Sequence, residues 1–165
     1  MIVVRVMHVI KIALSVSELL RFKPRLRNLK YDAHHRHYRA VVEARLPVAL
    51  LRANHYSLGL VPLNATEHFR LFSAYRSRDS IQVERAERDY ADYMELQFGW
   101  GENKVVERLE KTRNLLRAYE GGATFAVLVG PKRRNVWPIV DGFHRAALVA
   151  AFAQNPNIGV LISYE

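Results

Sequence analysis

The sequence predicts an α+β fold in which several helices precede a small mixed β-sheet. Apolar residues recur at helical spacing between residues 64 and 120, whereas two apolar runs at 125–129 and 136–140 have the length of strands. An alanine-rich helical segment at 146–153 separates these strands from a last apolar run at 158–163. Strands that surround one short helix, after a series of helices, are typical of α+β domains.

Length and composition predict one folded domain with an extension. The chain has 165 residues, of which 50% are apolar. We predict a core domain at residues 57–165 and a basic N-terminal extension at residues 1–56 that packs on it or flanks it. No cysteine is present, which excludes disulfides and favours a cytoplasmic location. Charged residues interrupt the apolar stretch at 1–20, so no transmembrane segment is predicted.

The positive charge of the chain is concentrated in one region. The net charge is +9, and residues 21–45 carry eight Lys or Arg against two acidic residues. Such a basic stripe suits a polyanion such as nucleic acid, although it is also typical of a solvated surface, which we favour. Histidines at 34, 35 and 37 lie within it, but adjacent histidines seldom converge on one ion, so no protein metal site is predicted.

Two helices are predicted in the middle of the chain, after a strand at 58–63. Asn64 has the character of an N-cap, and Glu67 then occupies the third helical position, which is the spacing of a capping box. Asp79 or Ser80 caps a second helix that runs to about Gln97. A Gly-Trp-Gly sequence ends it.

A third helix is the clearest of the chain. It begins at Asn103 and ends at Gly121-Gly122. One face carries residues at helical spacing that are expected to be buried: Val105, Leu109, Thr112, Leu116 and Tyr119. By contrast, residues 41–52 fit a helix or a strand, and Pro47 interrupts either.

Five residues after the second strand of the predicted hairpin carry the functional signal: Asp141-Gly142-Phe143-His144-Arg145. A helix N-terminus presents unpaired N–H groups and a partial positive charge, which suit a phosphate. Gly142 lets the backbone approach a ligand, and His144 and Arg145 add side-chain donors. Asp141 either caps the helix or orients Mg²⁺ or a hydroxyl group. The turn therefore predicts a phosphate-binding site.

The Asp-Gly-x-His-Arg sequence at this turn resembles the motif of the ParB/sulfiredoxin superfamily. The resemblance includes the hairpin before the motif and the strand after it, and it spans residues 57–165. It implies a small mixed sheet with a strand–motif–helix nucleotide site, in which Asp141, Gly142, His144 and Arg145 bind the phosphates. Phe143 stands where sulfiredoxins have their catalytic cysteine, so that chemistry is excluded. About 20 residues follow the motif, which is too few for the helix-turn-helix domain of ParB partition proteins.

The remaining branch of the superfamily contains free-serine kinases and bacterial proteins associated with surface sugars. Its resemblance to this chain implies a phosphotransferase that uses ATP or ADP with Mg²⁺ and a small-molecule or sugar acceptor. Such chemistry needs a carboxylate to accept the hydroxyl proton. In the serine-kinase branch a glutamate shortly after a strand has that role, which corresponds to Glu67 here. Glu84 and Glu87 are the alternatives, and Asp141 and His144 complete the predicted catalytic set.

Two other functions are compatible with the sequence. One is a nucleic-acid-binding regulator that uses the basic stripe, and the other is a nucleotide-binding module without catalysis. Aromatic residues are candidates for stacking on a base, although core packing is expected for all of them except Trp100, which lies between glycines: Tyr90, Tyr93, Trp100 and Trp137.

Overall fold

A computed structural model describes residues 13–15, 37–39, 41–55, 58–154 and 156–163 of the chain. Most of the basic stripe, including residues 21–36, lies outside the described residues, as do two of the three histidines of the 34–37 segment. Two short strands, β1 (Ala13–Ser15) and β2 (His37–Arg39), pair with each other antiparallel.

Six further strands form one mixed sheet, which agrees with the predicted fold class. In chain order they are β3 (Val41–Pro47), β4 (Leu51–His55), β5 (Gly59–Pro62), β6 (Ala126–Val129), β7 (Trp137–Asp141) and β8 (Asn157–Ser163). Their order across the sheet is β3-β8-β6-β7-β4-β5. The β8–β6 and β7–β4 pairs are parallel, and the other neighbouring pairs are antiparallel.

The sheet includes strands that precede residue 57, the predicted start of the core domain. Strand β3 forms one edge, and β4 lies between β7 and β5. Pro47 ends β3, and a short 3-10 turn (Val48–Leu50) then leads into β4. The backbone N–H of Val48 donates to the carbonyl of Pro156 at 2.9 Å, which ties this turn to the segment before β8. The ambiguous segment 41–52 is therefore two strands separated at the proline.

Four helices are present in the described part of the chain: α1 (Glu67–Ser77), α2 (Ser80–Phe98), α3 (Glu102–Glu120) and α4 (Phe143–Phe152). The predicted cap of α2 is confirmed, because Asp79 Oδ1 accepts hydrogen bonds from the N–H groups of Ile81 and Gln82 at 2.9 and 3.1 Å. The predicted buried face of α3 is confirmed in part, because Val105, Leu109 and Thr112 are buried, whereas Leu116 and Tyr119 are half-buried. No helix among the described residues has the length and apolar character needed to cross a membrane.

The predicted N-cap at Asn64 is wrong. Residues Leu63–Ala65 form a 3-10 turn, so α1 begins later than its sequence suggests. Thr66 is the N-cap, and its Oγ1 accepts from the Phe69 N–H at 3.3 Å and donates to the Leu63 carbonyl at 2.5 Å. Glu67 is consequently the first residue of α1 and not a capping-box residue.

Two apolar clusters hold the helices in place. The larger one lies between the sheet and helices α1 and α4, and α4 buries its alanines there because small side chains allow close approach to the sheet. The smaller cluster joins α1, α2 and α3. It consists of Leu71, Tyr90, Met94, Val105 and Leu109. The larger cluster thus packs α1 and α4 against the sheet, and the smaller one joins α1, α2 and α3 into a helical layer.

Candidate functional site

A cavity of about 280 Å³ lies where five elements of the fold meet. Strand β4, the first turns of α1 and α4, the end of α2 and the middle of α3 all contribute to its wall. Its polar lining consists of Asn54, His55, Thr66, Glu67, His68, Tyr93, Arg108 and His144, and its apolar lining includes Met94, Phe98, Trp100 and Phe143. A mostly apolar cavity with a few convergent polar groups is typical of a small-molecule site, and its volume is near the lower limit of such sites.

Two of the predicted catalytic residues, Glu67 and His144, line this same cavity. Glu67 opens α1 and His144 lies in the first turn of α4, so the packing of α1 against α4 brings them together. The Glu67 side chain is 21% exposed, and its Oε1 accepts a hydrogen bond from Arg70 Nη1 at 2.6 Å. The carboxylate is therefore accessible from the cavity and partly neutralised by Arg70 from the outside.

The alternative carboxylates have other positions. Glu87 accepts from both Arg113 Nη2, at 2.7 Å, and the Tyr75 hydroxyl, at 2.8 Å, so it links three helices. Glu84 is 76% exposed and pairs with Arg88 on the same helix. Among the described residues that line the cavity, Glu67 is the carboxylate.

His68 lies beside Glu67 and connects the cavity to the helical core. Its Nε2 is 3.2 Å from the Tyr90 hydroxyl, and its ring meets that of His144 edge to face at 4.1 Å. Burial lowers the pKa of His68 well below its usual value, and the nearby His144 and Arg108 lower it further. His68 is therefore neutral at pH 7. The sequence indicates no role for His68, because nothing in its local spacing distinguishes it from an exposed helical histidine.

The Asp141-Gly142 turn has the conformation that a glycine requires. Gly142 has a φ of 93° and is the N-cap residue of α4, whereas Asp141 Oδ1 accepts from the Gly142 N–H at 2.8 Å. A Cβ on Gly142 would lie 2.8 Å from Val127 Cγ1 and 2.9 Å from Arg145 Nη2. The glycine thus lets the Arg145 guanidinium and the sheet pack directly beneath the turn.

Arg145 is buried under the turn and does not line the cavity. It is 5% exposed, and its Nη2 lies 3.5 Å from Asp141 Oδ2. Burial lowers the pKa of Arg145 to about 10, while Asp141 opposes that shift. Its Nη1 has no hydrogen-bond partner among the described residues. Of the predicted site residues, the fold thus brings Glu67 and His144 to the cavity and places Asp141, Gly142 and Arg145 in a supporting cluster behind His144.

Aromatic residues form a separate part of the wall. Trp100 packs against Phe98 with 5.5 Å between ring centroids, and both line the cavity. Tyr93 also lines it, and its hydroxyl lies 3.1 Å from His55 Nε2. Burial raises the pKa of Tyr93, and the charge of Glu67 contributes to the increase. Tyr90, by contrast, is 1% exposed and belongs to the core, as predicted.

No protein-family model, curated protein or solved structure matches the chain. Within the part of the chain that the structure describes, no group of three or more His, Asp or Glu side chains has the arrangement needed to hold a metal ion.

Proposed function

We propose that this protein is a nucleotide-dependent phosphotransferase, which transfers a phosphoryl group from ATP or ADP to a hydroxyl group of a small molecule or sugar. The observation that carries the proposal is that Glu67 and His144 line one cavity. One is the carboxylate expected to act as base and the other belongs to the turn expected to bind phosphate. Glu67 and His144 are close together because α1 packs against α4, although the two helices are distant in the sequence.

Glu67 is suited to the role of base. In the proposed step the acceptor oxygen attacks the terminal phosphorus, its proton passes to Glu67, and the bond from phosphorus to the bridging oxygen of the nucleotide breaks. The carboxylate lies on the cavity wall and is partly buried, so few water molecules compete with the acceptor hydroxyl for it. Its ion pair with Arg70 holds the side chain in position at the cavity wall.

His144 and the start of α4 are suited to the phosphates. The helix N-terminus contributes partial positive charge, and the His144 side chain contributes a ring that faces the cavity. Asp141, Gly142 and Arg145 would then act behind the turn by holding its backbone in place. This differs from the direct phosphate contact that the sequence predicts for Arg145.

The residues present fit Mg²⁺ only as an ion that arrives with the nucleotide. The cavity has one carboxylate and three neutral oxygen-bearing side chains, Asn54, Thr66 and Tyr93, among its described residues. Proteins commonly hold Mg²⁺ through one or two carboxylates together with substrate phosphates. When bound, the ion would neutralise charge on the phosphates.

Nucleotide binding is the first test of the proposal. ATP and ADP, each with and without Mg²⁺, should raise the free energy of unfolding of the protein. A ligand at 100 times its dissociation constant stabilises a protein by about 2.7 kcal/mol, which a thermal melt detects readily. His144→Ala should weaken the binding. Unchanged melting temperatures with both nucleotides at millimolar concentration would refute the proposal.

Glu67→Gln then separates catalysis from binding. The amide retains the size of the side chain but cannot accept the proton, so phosphoryl transfer should fall by about 10²- to 10⁴-fold while nucleotide affinity changes little. Phosphorus NMR of mixtures of hydroxylated sugars and amino acids would detect a product. Glu84→Gln is the matched control and should keep full activity, because Glu84 lies outside the cavity. Binding without any transfer by the wild type would instead indicate the non-catalytic module.

A further inference from the structure

Arg108 presents a cation to the cavity that no acidic residue in the described part of the chain neutralises. It extends from the middle of α3, is half-buried and lines the cavity wall. Among the described residues, no Asp or Glu oxygen lies within 4.0 Å of its guanidinium. Two other arginines of α3 differ in this respect, since Arg113 and Arg117 both pair with glutamates.

An aromatic ring holds this cation in position. The Cζ atom of Arg108 lies 5.4 Å from the centroid of Trp100, and Lys104 Nζ lies 4.4 Å from the same ring. Both contacts are of the cation–π type. Only Arg108 of the two lines the cavity, however, because Lys104 is exposed one turn earlier on the helix. The ring therefore restricts the guanidinium on one side and leaves its remaining donors available to a ligand.

The surrounding charges leave Arg108 as an uncompensated positive centre. Glu67, the carboxylate of the cavity, is already paired with Arg70 at 2.6 Å. His68 is buried and neutral, so it contributes no charge of its own. A half-buried guanidinium with open donors and no carboxylate is well suited to bind an oxyanion through two parallel hydrogen bonds.

We propose that Arg108, held against Trp100, forms a second oxyanion subsite in the cavity, separate from the Asp141–Arg145 turn, which binds a phosphate or carboxylate group. The inference rests on the proposed function in taking this cavity as the active site. Two sources of the oxyanion are compatible with the geometry. One is the phosphate chain of the nucleotide, and the other is an anionic group carried by the acceptor.

Inorganic pyrophosphate is the simplest probe of the subsite. Arg108→Met should weaken its binding by about tenfold or more in isothermal titration calorimetry, since a hydrogen bond to a charged group is lost. Lys104→Met is the matched control, because it removes an equal charge from the same ring without altering the cavity wall, and it should change affinity by no more than about twofold. Arg108→Lys keeps the charge but not the planar fork, so it should restore only part of the affinity. It also serves as the test variant if Arg108→Met does not fold.

Further probes identify the source of the oxyanion. If the nucleotide supplies it, the loss caused by Arg108→Met should grow from AMP to ADP to ATP. If the acceptor supplies it, Arg108→Met should leave nucleotide affinities unchanged. The wild type should then bind glucuronate or glucose 6-phosphate more tightly than glucose, and the variant should bind all three with similar affinity. Either pattern supports the subsite.

Equal affinity of the wild type and the Arg108 variants for every probe would overturn the inference, as would a wild type that binds none of the probes. Failure of the proposed function gives a different result. A wild type that binds pyrophosphate through Arg108 but transfers no phosphoryl group retains the subsite and loses the phosphotransferase.

Discussion

The imidazole rings of His68 and His144 lie edge to face, with 4.1 Å between their centroids and 88° between their planes. Each is the second residue of its helix, so the contact joins the N-terminal turns of α1 and α4. The Phe143 ring also packs against His68, with 4.6 Å between the two ring centroids. This junction explains how the motif turn and Glu67 come to share one cavity.

Acidification should destabilise the protein through His68. Burial keeps this histidine neutral in the folded state, whereas in the unfolded chain it binds a proton near pH 6.5. Well above pH 6.5 both states are neutral and His68 has no effect on stability. As the pH falls below 6.5, the unfolded state binds a proton that the folded state does not, so the free energy of unfolding decreases.

The loss attributable to His68 should be about 1.4 kcal/mol between pH 7.5 and pH 5.5. Urea denaturation at both pH values measures it, and His68→Gln provides the comparison because glutamine does not titrate. The variant should show a correspondingly shallower pH dependence. Identical pH dependence in the two proteins would contradict the assignment of His68 as a buried neutral group.

Gly142→Ala should destabilise the fold by about 3 kcal/mol. Its φ of 93° disfavours any side chain, and a Cβ would collide with Val127 and Arg145. Gly122→Ala is a matched control, since Gly122 has a φ of 88° but open space around it. That variant should lose only about 1 kcal/mol from the backbone strain. Denaturant unfolding distinguishes the two, and equal losses would argue against close packing beneath the turn.

Thr66→Ala should cost about 1 kcal/mol, because Thr66 Oγ1 caps α1. Asn64→Ala should leave stability nearly unchanged, since Asn64 lies in the preceding 3-10 turn and is exposed. Thermal melts of both variants against the wild type provide the measurement. A larger loss from the Asn64 variant would favour the helix start that the sequence suggests.

Glu87→Ala should destabilise the helical layer by about 2 kcal/mol. Its carboxylate binds Arg113 and the hydroxyl of Tyr75, so its removal leaves the Tyr75 hydroxyl without this acceptor and Arg113 with its longer ion pair to Glu110 at 3.5 Å. Glu84→Ala removes an exposed ion pair with Arg88 and should cost less than about 0.5 kcal/mol. Chemical denaturation would show the difference. Retention of wild-type stability by Glu87→Ala would indicate that its carboxylate is dispensable for packing.

Elements with strong local signals could be predicted from the sequence. The cap at Asp79 and the buried face of α3 depend on residues within one or two turns of each other, so their spacing is sufficient. The start of α1 could not be predicted in the same way. Asn64 and Thr66 are both good caps, and the preceding 3-10 turn selected the second.

The candidate site was predictable only in part. Glu67 and His144 could be named from a motif and its surroundings, and both line the cavity. Arg145 belongs to the same motif, yet its guanidinium is buried beneath Gly142. Arg108 carried no signal at all, because an arginine on a charged helix is indistinguishable from its neighbours until the helix is packed.

By itself, the sequence determined an α+β chain, the extent of α2, α3 and the hairpin, and the glycine turn before α4, because periodicity, capping and turn formation are local properties of the backbone. Tertiary structure alone decided that residues 41–55 join the sheet, that His68 is buried and that Arg108 reaches the cavity. These features arise when segments far apart in the chain pack together, so burial and charge at each position depend on neighbours that local spacing does not specify.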